Sequence, residues 1–353
     1  MRTRAILTTI ALSAVGAITL FAQQQPKDMA RTPGVQAGAD MNRAAFIMAN
    51  CKNPAPPPPA RGGGAPGAPG APGAAPGGGR GAAAPPPPPD YNVATTAIPG
   101  VIVAQNSKSQ VLKVGLNGKV ELLATDTYTG GALAMTKDGK LYVGERALNR
   151  SIWEIQPKRQ LFADKKDGEP LECLGQGVLN DMVADSKGGI YMTMGGIYYV
   201  NPQGVVSGRF GVTGGNGLIL SKDEKTFYAT GRLMGAMPPA DLKVPAGAPM
   251  PTGGLVAFDV APDGTLSGER QFTWAGGDGT AIDNNGVIYT TGNGGVWVIG
   301  TKGELLGFIP APRGMISVAF GGPNKKTLFG VSINDVQIFA IDTIAQGIQS
   351  RPK

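Results

Sequence analysis

Lys137-Asp138-Gly139-Lys140-Leu141-Tyr142-Val143 reads as a tight turn running into a short strand, and Ile152-Trp153-Glu154-Ile155 reads as the strand that returns beside it. Asp-Gly supplies the positive φ that a short hairpin turn needs, and aromatic and β-branched residues suit a pleated, half-buried surface. The same two-run unit recurs along the chain. Its first run appears as Val101-Ile102-Val103, Leu141-Tyr142-Val143, Ile190-Tyr191-Met192, Phe227-Tyr228-Ala229, Ile288-Tyr289-Thr290 and Leu328-Phe329-Gly330. Its second run appears as Val111-Leu112-Lys113-Val114, Ile152-Trp153-Glu154-Ile155, Ile197-Tyr198-Tyr199-Val200, Val256-Ala257-Phe258, Val296-Trp297-Val298 and Gln337-Ile338-Phe339. The middles of the first runs lie 40, 49, 37, 61 and 40 residues apart, a spacing centred on the length of a four-stranded propeller blade. The longest interval holds an insertion, Leu233 to Gly253, rich in Pro, Met and Ala. Six such units predict an all-β chain, a six-bladed β-propeller of four-stranded blades over residues 91–347, with 348–353 as a tail. A β-sandwich also has many short strands, but it does not repeat one two-run unit six times.

Composition narrows the chemistry. The 353 residues include 55 Gly, 30 Pro, two Cys and no His. Without imidazole there is no Ser–His or Cys–His nucleophile system, no His-ligated zinc and no His-bound haem. Two Cys cannot build a thiolate zinc site or an iron–sulfur cluster. Charged residues are 16 % and aromatics 6 % of the chain, and the net charge of +7 is scattered without aromatic–basic interleaving. That pattern argues against a coiled coil and against a nucleic-acid partner. Any chemistry has to use oxygen ligands.

The amino terminus is an address. Arg2 and Arg4 precede an apolar run from Ala5 to Phe21, then Ala22 and Gln23-Gln24-Gln25. This is the layout of a secretory signal over residues 1–22 with Ala22 at the cleavage point, and no second apolar run of spanning length follows. The expectation is an exported protein, periplasmic or secreted, with no membrane span after cleavage. Residues 23–52 hold one short apolar patch, Ala44–Ala49. Residues 53–90 are nearly all Pro, Gly and Ala, a spacer that favours extended polyproline II and cannot bury a core. Cys51 and Cys173 are the two thiols. In an oxidising compartment they either pair or stay free, and sequence alone leaves both open.

Three strings stand at the starts of blades and carry a polar residue where a core strand wants an apolar one. They are Leu179-Asn180-Asp181-Met182-Val183, Gly215-Asn216-Gly217-Leu218-Ile219 and Gly277-Asp278-Gly279-Thr280-Ala281. Each by itself is ordinary turn chemistry. Together, at equivalent repeat positions, Asn180, Asn216 and Asp278 point to one mouth of the central channel. Converging amide and carboxylate oxygens suit a hard divalent cation, Ca²⁺ first, with Zn²⁺, Mg²⁺ or Mn²⁺ as other choices.

These strings make the chain resemble the gluconolactonase/regucalcin-like (SGL) six-bladed propellers over roughly Ile98 to Ile341. Asn180-Asp181-Met182-Val183-Ala184-Asp185, Asn216-Gly217-Leu218 with the following Ser221 to Tyr228, and Asp278-Gly279-Thr280-Ala281-Ile282-Asp283 carry the resemblance. Val296-Trp297-Val298 and Ala319-Phe320-Gly321-Gly322 add to it. The resemblance implies that Asn216 and Asp278 bind the metal, that Asp278 also serves as base, and that Asn180 faces the substrate, or the metal through water. It also implies a first-blade Glu-Gly-Pro string whose glutamate is a metal ligand. This chain reads Asp90-Tyr91-Asn92-Val93-Ala94 there, and Gln105 stands where an aspartate often ends the first run. Asp90 and Glu145 are the candidates to replace the missing carboxylate, although Glu145 reads first as a solvated partner of Arg146.

The expected activity is metal-assisted hydrolysis of a lactone or related ester, on a small sugar-derived substrate, by a monomer. The insertion Leu233–Gly253 and the loop Asp164–Gly177 are expected to shape the mouth. The competing class is a non-catalytic exported propeller that binds a sugar or protein ligand, since fold does not fix function.

Overall fold

Asp and Asn side chains fold back onto the backbone at many of the hairpins, and this repeated turn chemistry sets the strand registers. Asp185 Oδ1 accepts from the N–H groups of Lys187 and Gly189, and Asp283 Oδ1 from those of Asn285 and Val287. Asn201 Oδ1 does the same for Gln203 and Val205. Each side chain satisfies turn donors that would otherwise lack partners.

The computed structural model describes residues 51–52, 91–94, 101–105, 109–127, 130–146, 150–174, 178–211, 215–292, 294–311, 314–332 and 338–349. The expected signal peptide and the spacer 53–90, with Asp90, lie outside the described residues. Six antiparallel sheets of three or four strands, blades I to VI, follow one another in chain order, with a two-stranded ribbon, Lys165–Lys166 and Glu169–Pro170, between blades II and III. Their innermost strands are Tyr91–Ala94, Gly130–Met135, Asp181–Ala184, Leu218–Leu220, Thr280–Ile282 and Met315–Gly321. These strands touch in the order I, II, III, IV, V, VI and back to I, so the ring is closed. The closure is apolar: Val101, Val103 and Val114 of blade I share a buried cluster with Ile316, Ala319, Phe329 and Val331 of blade VI. A larger cluster joins blades III to V through Tyr191, Phe227, Phe258 and Trp297. This is a six-bladed β-propeller.

The first runs of the repeat are the second strands of the blades, and the second runs are the third strands. One detail departs from expectation. Blades I to V have four strands, but blade VI has three among the described residues: Met315–Gly321, Thr327–Ser332 and Ile338–Asp342. After Asp342 the chain does not turn back to add an outer strand. It folds beneath blades V and VI, where Gly347 bridges Asp283, its N–H donates to Lys325 O, and Lys325 Nζ donates to Ile348 O. Ile348 is buried and the Gln349 amide donates to Asn324 O, so these two residues, expected in the tail, belong to the folded body.

Strand direction decides which face carries what. The innermost strand of each blade starts at one face, the hairpin after it lies at the other, and the second strand returns. Residues just before an innermost strand and just after a second strand therefore share a face.

Candidate functional site at the channel mouth

Asn180 directly precedes the innermost strand of blade III, while Asn216 and Asp278 stand two residues before those of blades IV and V. Threonines at the ends of the second strands hold these strings in place. Thr193 Oγ1 accepts from Asp181 N and donates to Asn216 O at 2.7 Å, stitching blade III to blade IV. Thr291 Oγ1 accepts from the N–H groups of Asp278 and Gly279 at 2.7 and 3.0 Å. Gly217 is required where the strings cross: a Cβ there would lie 2.0 Å from Asp278 O.

The side chains of Asn216 and Asp278 meet. The Asn216 amide donates to the Asp278 carboxylate, while Asn216 Oδ1 is buried and has no hydrogen-bond partner. Burial pushes the Asp278 carboxyl up to about 6, and the nearby Asp181 carboxylate adds to the rise; Arg146 and the Asn216 amide oppose it. Asn180 lies alongside, its Nδ2 donating weakly to Gly215 O at 3.4 Å. Asp181 is occupied structurally, with Oδ1 accepting from Met182 N and Oδ2 from Leu218 N. Arg146, just past the second strand of blade II, is buried with its guanidinium acting on both Asp278 and Asp181.

The structure thus brings Asn216 and Asp278 together, with Asn180 beside them. It corrects the reading of Glu145. That residue ends the second strand of blade II and is only 1 % exposed, so it is no solvated partner of Arg146. The strand pairs with its neighbours on both sides there, opposite Gly130 and Ser151, which shuts out water. Arg146, Thr193 and Thr291 are site residues that lie outside the strings, and Asp181 lies within one but its part in the site was not read from it. A sequence signal existed for the threonines: Thr193, Thr230 and Thr291 recur at the same repeat position.

The donor set fits a hard divalent cation. An orphaned buried amide oxygen on the residue paired with a half-buried carboxylate is an incomplete set that such an ion satisfies. Among the described residues no three carboxylates, thiolates or imidazoles converge on one point, so the charge count is low.

The mouth has walls. The insertion after blade IV's second strand returns to this face, its base closed by Gly231 N to Gly254 O and by Arg232 Nε to Gly253 O. Arg232 sits over the Trp274 ring at 5.6 Å, and Met234, Met237 and Met250 are exposed. On the same face Cys51 and Cys173 form a disulfide, and Lys52 N donates to Glu169 Oε1. A groove of about 400 Å³ on the opposite face, lined in part by Asp185, Tyr191 and Glu224, contains none of the site residues.

The sequence profile described as "SMP-30/Gluconolactonase/LRE-like region" matches residues 105–334, more than half of the chain. The chain belongs to this family. Among curated relatives of the SMP-30/gluconolactonase/LRE-like chain, "Lactonase drp35" of Staphylococcus epidermidis is 27 % identical over 199 residues, 51 % of this chain and 56 % of the relative. The Staphylococcus aureus protein of the same name is 26 % identical over 199 residues. The chain spans about half the length of the curated relatives it matches. Among solved structures, a gluconolactonase from Xanthomonas campestris aligns with a TM-score of 0.56 at 20 % identity, over 72 % of this chain and 87 % of that one. The calcium-binding protein regucalcin from Agrobacterium tumefaciens aligns at 0.55 and 18 %, over 74 % and 92 %. At such identities the structural likeness is one of fold.

Proposed function

We propose that this family member is a divalent-cation-dependent hydrolase of lactones or related esters, with the ion held by Asn216 and Asp278 and Ca²⁺ as the ion. The observation that carries the proposal is the pair itself: Asn216, whose amide meets the Asp278 carboxylate and whose Oδ1 is buried without a hydrogen-bond partner. Ca²⁺ is favoured over softer ions because every available donor is an oxygen. Such an ion supplies Lewis-acid polarisation of the substrate carbonyl. The Asp278 carboxylate is the group at the mouth that can accept a proton, and burial raises its carboxyl before any ion binds. It orients the attacking water and removes its proton as the oxygen bonds to the carbonyl carbon. The ring C–O bond then breaks, the proton passes to the departing alkoxide, and the product is the hydroxy acid. The Asn180 amide offers a donor and an acceptor to substrate hydroxyls.

The relatives named lactonase and gluconolactonase support the reaction class, and the calcium-binding protein regucalcin among the structural neighbours supports calcium. Export follows the amino-terminal sequence and agrees with a disulfide, which persists in oxidising compartments. The test is a panel of sugar-derived and simple lactones read by a pH indicator. Hydrolysis by the wild type that is lost in Asp278→Asn supports the proposal; no acid release from any lactone, or equal release by the variant, removes it.

A further inference from the structure

We infer that Arg146 is a resident cation of the channel mouth, seated over Gly131 beside Asp278 and Asp181, and that its fixed charge keeps the divalent ion weakly held and exchangeable. This rests on the divalent-cation reading above and assigns a residue that reading does not use.

The geometry begins in blade II. Arg146 leaves the second strand, Leu141–Glu145, on the face where Asn216 and Asp278 lie. It is 9 % exposed. Its stem lies across Gly131 of the innermost strand: a Cβ on Gly131 would stand 2.2 Å from Arg146 Cδ and 3.2 Å from Cγ and Nε. An alanine in that strand would displace the arginine, so the glycine is a cradle for it. The charge of its guanidinium acts on the carboxylates of two other blades, Asp278 of blade V and Asp181 of blade III. It stays protonated there, as arginine does in proteins.

Charge then sets affinity. Asp181 is occupied by the N–H groups of Met182 and Leu218, and this leaves Asp278 as the carboxylate paired with Asn216. An ion bound to these oxygens shares Asp278 with a fixed positive charge, and repulsion between charges at a half-buried site is stronger than in water. Ligand charge count and site rigidity tune calcium affinity, and extracellular modules work at dissociation constants of about 10⁻⁴–10⁻³ M. A site with one carboxylate and a neighbouring arginine belongs in that weak range, which matches an exported protein.

The experiment is calorimetric titration of CaCl₂ into the chelator-stripped full chain at pH 8.5. Wild type, Arg146→Gln, Arg146→Lys, Gly131→Ala and Asp278→Asn are compared, with each fold checked by melting. Arg146→Gln should bind calcium about tenfold tighter or more, Arg146→Lys should stay near wild type, and Asp278→Asn should not bind. Gly131→Ala keeps the arginine but displaces it, so it should also bind more tightly. It decides the matter should Arg146→Gln fail to fold. Unchanged or weaker binding in Arg146→Gln, with wild-type binding still abolished by Asp278→Asn, overturns the inference and leaves the proposed function standing. No calcium binding by wild type or any variant overturns the inference and the calcium site together.

Discussion

Replacing Asp278 by Asn removes a charge that the fold resists. Its carboxyl stands at about 6 against an ordinary value of 3.8, so between those values the folded protein holds a proton that the unfolded chain has released. Stability therefore falls as pH rises through that window and levels off above 6. The displacement corresponds to about 3 kcal/mol at pH 8. Asn keeps the shape and an oxygen for the Asn216 amide, but Arg146 loses one of its two carboxylates, so the net gain for Asp278→Asn is about 1–3 kcal/mol. For a domain of this size that is a rise of roughly 5 °C in melting temperature. The assay is thermal melting of both proteins in chelator at pH 4.5 and pH 8. The variant should be the more stable at pH 8, and the gap should shrink at pH 4.5, where wild-type Asp278 is protonated. A gap that does not change with pH, or a variant less stable at pH 8, would refute the electrostatic account of the site.

Thr291→Val strips the acceptor from two backbone N–H groups, at Asp278 and Gly279, and should cost about 2–4 kcal/mol by urea unfolding while lowering turnover. Gly217→Ala would drive a Cβ into Asp278 O; a loss of about 1–3 kcal/mol is expected in the same assay, with calcium binding impaired. Reducing the Cys51–Cys173 bridge should open the chain before Cys51 to proteases while a fragment beginning near residue 91 survives, seen by mass spectrometry of a limited digest.

The ring was legible because each blade advertises its second and third strands with a turn and two apolar runs. The innermost strands were harder: Leu218–Leu220 and Thr280–Ile282 are three residues each, too short for a period to show. Outer strands such as Val120–Ala124, exposed along most of their length, lack an alternation strong enough to mark them. Among the described residues blade VI has three strands, and the chain after them is held by contacts of Gly347 and Ile348 with Asp283 and Lys325, which no local pattern encodes. In the site, Asn216 and Asp278 were visible as polar residues out of place. Glu145-Arg146 was misread because adjacent opposite charges look like a solvated pair unless burial is known. The space for Arg146 comes from Gly131, a glycine on a neighbouring strand, and its counter-charges come from two other blades. Such a group is assembled only by the ring.

The most direct test of the central claim is the lactone hydrolysis rate of the chelator-stripped full chain as calcium is added back. The account predicts a rate near background without calcium that rises and saturates over the range of about 10⁻⁴–10⁻² M in wild type, and stays flat in Asp278→Asn. Full hydrolysis in excess chelator, or a calcium response that survives in Asp278→Asn, would contradict it.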